Sequence, residues 1–199
     1  PAERNPMVEI VPGKETDPKL VHTMMSLYEH IGKVPIRVGS QYGYAVDPIF
    51  EGLFLASALC VEEGLGSVKE VDAAARKALG LAVGSFTAMN LTGGNPLTDH
   101  GLQGEGEKLN PWFRSPKLMK DAVAAGKPWE VAKRGEKVEI PPEREQPIVD
   151  ALRGAYFGLV CFILDSGITN VSDLEMALAI ALDIKPPFAL MNELGVTEA

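Results

Sequence analysis

Glu9 interrupts an apolar run, Met7-Val8-Glu9-Ile10-Val11, and a carboxylate so placed has two uses. On a half-buried strand it points to the polar face; in a site it holds the tautomer of a histidine or other base brought from elsewhere. The chain's own histidines offer little chemistry. His22 and His30 share one helix at a spacing too wide for a common metal ion, and His100 follows Asp99 without a nucleophile beside it. Gly64-Leu65-Gly66 and the stretch from Gly101 to Gly106 lack the glycine order and strand-to-helix context of a phosphate cradle, so they are read as turns and linkers. No cluster has metal-ligand spacing, and no metal is expected. Cys60 and Cys161 each lie in an apolar stretch and are read as buried, reduced thiols of a cytoplasmic protein.

The elements that must position these residues are mostly helices. Residues 7–11 predict a strand ended by Pro12-Gly13, with no strand-helix-strand layout around it. Thr16-Asp17-Pro18 caps a helix reaching about Ile31, with Leu20, Met24, Leu27 and Ile31 on one face. Gly32 stops it, and Val34–Val38 is a short extended segment. A long helix from about Val46 to Glu63 follows, ended by Gly64 and Gly66. Ser67 then caps a helix to Leu79, and a short helix covers Ser85 to Leu91. Gly93 to Gly106 reads as a loop, and Ser115-Pro116 caps a short helix to Ala125.

The same unit then recurs. At an offset of about 103 residues, Val46, Asp47, Phe54, Gly64, Val68, Ala74, Ala78 and Leu79 reappear as Val149, Asp150, Phe157, Gly167, Val171, Ala177, Ala181 and Leu182. After a one-residue deletion, Phe86, Met89, Asn90 and Gly93 reappear as Phe188, Met191, Asn192 and Gly195. The second copy predicts a helix from about Gln146 to Leu164, a Gly167 stop, an Asn170 cap, a helix to Leu182 and last turns opened by Pro186-Pro187. One such unit cannot bury its long helix alone, so two copies are expected to share a core across a pseudo-two-fold axis. The expected fold class is all-α: two tandem helical units packed as a pseudo-dimer, with a short N-terminal extended segment. The boundaries are 1–40 for that segment and its helix, 41–126 for copy 1, 127–145 for a linker with mixed charges, and 146–199 for copy 2.

Composition excludes some partners. A formal charge of −8 argues against nucleic acid or an anionic membrane surface. The apolar run from Tyr156 to Leu164 is too short to span a bilayer. The abrupt opening and ending suggest a piece of a longer polypeptide.

Specific motifs then narrow the field. The stretch from Asn5 to Asp17 (Asn-Pro-Met-Val-Glu-Ile-Val-Pro-Gly-Lys-Glu-Thr-Asp) resembles the segment joining the NAD-binding domain of 3-hydroxyacyl-CoA dehydrogenases to their helical C-terminal domain. Gly32-Lys33-Val34-Pro35 with Val38 resembles the next signature of that family, and both helical copies resemble its C-terminal domain. The resemblance implies NAD, bound mainly by a domain outside this chain, an acyl-CoA substrate, and oxidation of 3-hydroxyacyl-CoA to 3-oxoacyl-CoA in fatty-acid β-oxidation. It implies that Glu9 orients a catalytic histidine in a His-Phe-Phe-Asn-Pro stretch upstream, of which Pro1 would be the last residue. Tyr42-Gly43-Tyr44-Ala45-Val46-Asp47 stands where the family has Pro-Gly-Phe-x-x-Asn-Arg. The substrate-contacting asparagine therefore corresponds to Asp47 and the arginine to Pro48, exchanging a donor for an acceptor. Lys133-Arg134-Gly135-Glu136 is faintly similar to a late family element whose lysine lies near the cofactor. Multifunctional relatives can also carry a fused enoyl-CoA hydratase domain. Besides an inert C-terminal portion of such an enzyme, two readings stay open: a related dehydrogenase of a 3-hydroxy acid without CoA, and a non-catalytic dimerisation scaffold.

Overall fold

Residues 7–37 close a strand-helix-strand unit, which corrects the isolated N-terminal strand; the rest of the fold is helical, as the expected class has it. In the computed structural model, which describes residues 5–195, β1 (Met7–Ile10) pairs in parallel with β2 (Val34–Arg37), and α1 (Pro18–His30) makes the crossover. The register sets Met7 opposite Val34 and Ile10 opposite Arg37. Pro35 is tolerated because β2 has a partner on one side only. Asp17 caps α1 by accepting from the Lys19 amide at 2.8 Å, and Gly32, at φ 80°, ends the turn that follows. The predicted apolar stripe of α1 is nevertheless in solvent: Leu20, Leu27 and Ile31 are all exposed. Two parallel strands are too small a sheet to cover that helix.

The first helical unit forms as its punctuation requires. α2 (Asp47–Glu62), α3 (Val68–Leu79) and α4 (Ser85–Leu91) follow one another. Ser67 and Glu70 make a reciprocal capping box at the start of α3, and Gly80 takes the left-handed conformation at its end. Asp72, on α3, accepts from the amides of Phe86 and Thr87 and so caps α4, whose own flanking Gly84 has no side chain to do it. The second unit repeats the order with α7 (Pro142–Asp165), α8 (Val171–Leu182) and α9 (Pro187–Leu194). Asn170 caps α8, Asp183 replaces Gly80 as the left-handed C-cap, and Glu175 accepts from the Phe188 amide as Asp72 does from that of Phe86. α7 starts at Pro142, earlier than the expected Gln146, and runs through Pro147. Pro142, at the first helical position, loses an amide that has no partner there, whereas Pro147, about one and a half turns in, forgoes a bond to the Glu143 carbonyl.

The packing of the two units is not symmetric. α7 lies along both α2 and α3, burying Ile148, Leu152, Tyr156 and Ile163. Gly52 on α2 is needed for that approach, since a Cβ there would stand 2.6 Å from Leu159. α8, however, packs on β1 and β2, and its contacts with α2 do not match those of α3 with α7. By length and composition α7 is apolar enough to cross a membrane, and 44% of its most apolar window is buried within the fold. Cys60 is buried as expected, but Cys161 is exposed on the outer face of α7, because the core side of that helix is already filled.

The expected loop between the copies is a helix, α5 (Asn95–Lys108), followed by α6 (Lys117–Ala125). Its glycines are contact residues, not turn residues. An added Cβ at Gly104 would lie 2.2 Å from the Tyr42 hydroxyl, and one at Gly106 2.4 Å from the Phe113 carbonyl oxygen. Ser115 does not cap α6; its hydroxyl donates to Asp99. The 127–141 segment is a strap tied to copy 1: Asn90 exchanges two hydrogen bonds with the Trp129 backbone, and the Trp129 ring meets Phe86 edge-on at 4.9 Å.

Candidate active site

β1 and the start of α2 meet at a cavity of about 600 Å³ that contains both Glu9 and Asp47. The period of two along β1 sends Asn5, Met7 and Glu9 to the same side, so Glu9 faces this cavity. One of its oxygens accepts from the Ala45 amide at 2.9 Å. That bond serves the start of α2, because Val46 at its N-cap offers no side-chain acceptor. Burial raises the Glu9 carboxyl above the usual range, the Ala45 and Val46 amides pull it back, and the charge of Asp47 adds to the rise.

The turn before α2 aims the remaining groups. Gly43 (φ 72°) and Tyr44 (φ 56°) are both left-handed, a conformation uncommon for tyrosine, and Tyr44 lines the cavity with Phe50 and Phe54. Asp47 is the first residue of α2, where the helix dipole favours a carboxylate. Its surface opens on the cavity, yet the protein packed around the carboxyl still raises it. Pro48 is buried beside it.

Two further carboxyls stand behind Asp47, and sequence reading missed both. Glu51 lies one turn along α2, and Glu105 comes from α5, the segment taken for a loop. Their relative exposures are 8% and 2%, and neither Oε2 of Glu51 nor either oxygen of Glu105 has a hydrogen-bond partner among the described residues. Burial, reinforced by Asp47 and Glu105, pushes Glu51 up to about 9; burial and Asp47 push Glu105 up to about 8. Such groups are protonated at neutral pH unless a cation comes to them. The i, i+4 spacing of Asp47 and Glu51 was visible in the sequence; Glu105 could be found only once Gly101 and Gly104 were recognised as packing glycines on a helix.

Lys133 is not part of this arrangement. It is exposed in a separate groove with Lys69, Arg76 and Arg134, and its amide donates to Glu136 at 2.8 Å. His22 lies in a larger groove of about 1080 Å³, beyond the far ends of β1 and β2, together with Lys14 and Arg37. Asp99 and His100 sit on α5, where Asp99 also accepts from Gln103 at 2.8 Å. Among the described residues no cluster of side chains could hold a metal ion. Pro1 lies outside the described residues.

Residues 1–41 match the model for the 3-hydroxyacyl-CoA dehydrogenase NAD binding domain, and residues 43–136 match that for the 3-hydroxyacyl-CoA dehydrogenase C-terminal domain. L-carnitine dehydrogenase of Burkholderia mallei is 32% identical over 120 residues, which is 57% of this chain and 37% of that protein. The enzyme of the same name from Staphylococcus epidermidis is 34% identical over 123 residues, covering 58% and 38%. The chain thus spans well under half the length of these curated relatives. A crystal structure of 3-hydroxybutyryl-CoA dehydrogenase from Escherichia coli K12 aligns with all of this chain and 62% of its own, with a TM-score of 0.75 and 15% identity. M. tuberculosis FadB2 aligns with 62% of this chain and 44% of its own, at 0.58 and 24%. At those identities the likeness is one of fold.

Proposed function

Since the chain belongs to the 3-hydroxyacyl-CoA dehydrogenase family, we propose that it is the substrate-binding and assembly portion of an NAD-dependent dehydrogenase that oxidises a 3-hydroxy acid or its thioester to the 3-oxo compound. The observation that carries this reading is the convergence of Glu9 and Asp47 on one cavity from β1 and α2. NAD, when bound, supplies the hydride acceptor. The match of residues 1–41 to part of an NAD binding domain supports its use, with most of its contacts supplied by the rest of that domain. In this scheme the hydroxyl proton passes to a histidine upstream, and the free oxygen of Glu9 orients that imidazole and stabilises its protonated form. The open edge of β1 and the exposed stripe of Leu20, Leu27 and Ile31 are the surfaces the remaining NAD-binding domain would cover. On its own the chain is expected to be inactive.

Between the possible substrates, a small 3-hydroxy acid is favoured over a CoA thioester. Asp47 and Pro48 stand where the resemblance expects asparagine and arginine, and the relatives that match are named for L-carnitine, which is a 3-hydroxy acid. The two helical units are proposed to be an internal duplication, supported by the recurring cap from Asp72 to Phe86 and from Glu175 to Phe188. The second unit, with no counterpart of Glu9, would be structural.

The test joins this chain to an NAD-binding domain and follows NADH formation with L-carnitine and with 3-hydroxybutyryl-CoA side by side. Turnover of the free acid, lowered about 10²–10⁴-fold by Glu9→Ala, is the expected result. Faster turnover of the thioester would reverse the choice of substrate, and turnover of neither would overturn the dehydrogenase reading.

A further inference from the structure

We infer that the second helical unit, structural elsewhere, completes the candidate site: the last turn of α8, through Ala181 and Leu182, is the wall that sets how long an apolar portion of the ligand can be. The inference goes beyond the proposed function and rests on it only for the role of the cavity. Its first support is the origin of the lining. Glu9 comes from β1 and Asp47 from α2, but Ala181 and Leu182 belong to α8, and they line the same cavity as Leu81 and Leu91 of the first unit. In such a pocket the few polar groups fix orientation, and the apolar lining fixes size.

The second support is how firmly this turn is held. Before α8, the Gly39 amide donates to the Ile168 carbonyl at 2.7 Å, and a Cβ on Gly39 would stand 3.1 Å from Ile168. At the end of α8 the Asn5 side-chain amide donates to the Ala181 carbonyl at 3.3 Å. Past that end, Asp183 turns the chain in the left-handed conformation, φ 51°, and Lys185 is held by both of its backbone groups. Its amide donates to Leu79 and its carbonyl accepts from the Tyr156 hydroxyl, each at 2.9 Å. Leu182 thus lies between a tie to the segment entering β1 and a tie to the end of α3. A wall pinned on both sides cannot retreat from an overlong ligand without disturbing those bonds.

The recurrence of the unit supplies a comparison. Ala181 and Leu182 correspond to Ala78 and Leu79 at the end of α3, which are buried in the core. Their counterparts on α8 are half-buried, packed on the core on one side and open to the cavity on the other. The difference follows from docking. α3 lies along α7, whereas α8 lies on β1 and β2, where its last turn reaches the cavity of Glu9. Positions that are core in one unit are thereby cavity wall in the other.

The probes are the straight-chain alcohols from 1-butanol to 1-octanol, titrated into the 199-residue chain and followed by the methyl resonances of Ala88 and Leu91, which line the cavity. Affinity should rise about fourfold with each added methylene and stop rising at the length that meets α8. Leu182→Ala should let the rise continue for about two further methylenes, because truncation opens space where the wall stood. Ala181→Leu should end it earlier, and Leu182→Met should keep the wild-type limit. Leu178→Ala, on the same helix but buried away from the cavity, is the control: it should lower the melting temperature and leave the limit in place. Should Leu182→Ala fail to fold, Ala181→Leu, which removes no contact, decides the matter. No saturable binding of any alcohol to wild type would overturn the inference. So would a limit unmoved by the folded variants at 181 and 182, or one that Leu178→Ala moves as far. The measurement needs neither NAD nor an upstream histidine. A limit that follows Leu182 in a chain supporting no dehydrogenation when joined to an NAD-binding domain would sink the proposed reaction alone; a limit indifferent to Leu182 beside measurable turnover would sink the wall alone.

Discussion

Glu51 and Glu105 set the pH behaviour of the native state. Both have folded-state values raised far above those of an unfolded chain, so the folded protein holds more protons between about pH 4.5 and 8–9. Stability therefore falls as pH rises from the unfolded value through the folded one, by about 1.4 kcal/mol per pH unit for each retained proton. Raised Glu9 and Asp47 act in the same direction. Gln imitates the protonated form at every pH. Thermal melts of Glu105→Gln should then lie above wild type at pH 8, with the gap closing towards pH 5; a constant gap would mean that Glu105 is ionised in the folded state. Glu9 was legible from the sequence because a carboxylate among apolar β-formers breaks a pattern. Glu105 was not, because nothing local distinguishes a buried glutamate from a solvated one when its helix is missed.

At the level of elements, the glycines divide into two classes that composition cannot separate. Gly104 on α5 packs against the Tyr42 ring and Gly106, on another side of the helix, against the Phe113 backbone, while Gly154 and Gly158 on α7 have nothing within 4 Å of an added Cβ. Gly106→Ala should destabilise by about 1–3 kcal/mol, since its Cβ would meet a backbone oxygen that cannot swing aside. Gly154→Ala should stabilise by about 0.5–1 kcal/mol through helix propensity alone. Denaturant titrations of the two variants check the contrast; equal effects would mean that close packing does not explain the glycines of α5. This is also why α5 was read as a loop: a local propensity argument counts the glycines' cost and cannot see what they let approach.

The whole molecule ties both helical units into one core. α7, from the second unit, lies on α2 and α3 of the first, and the Lys185 amide donates to Leu79 at 2.9 Å. Leu152, fully buried in that seam, should cost about 2–5 kcal/mol on truncation to Ala. The loss should appear in a single unfolding transition shared by probes in both units. Two separated transitions would mean that the units fold independently.

Most helix ends and several caps, though not α5, were already determined by the sequence, since a glycine stop or a Ser67 cap acts within a few residues of the chain. The parallel pairing of β1 with β2 needed the tertiary structure, because four-residue strands either side of a helix carry no mark of each other until α1 folds back between them. The same holds for the docking of α8 on the strands where a symmetric pair would have set it against α2, and for the meeting of Glu9, Asp47, Glu51 and Glu105. Those four groups come from three elements, and only burial, which is a property of the assembled core, turns them from ordinary acids into a site.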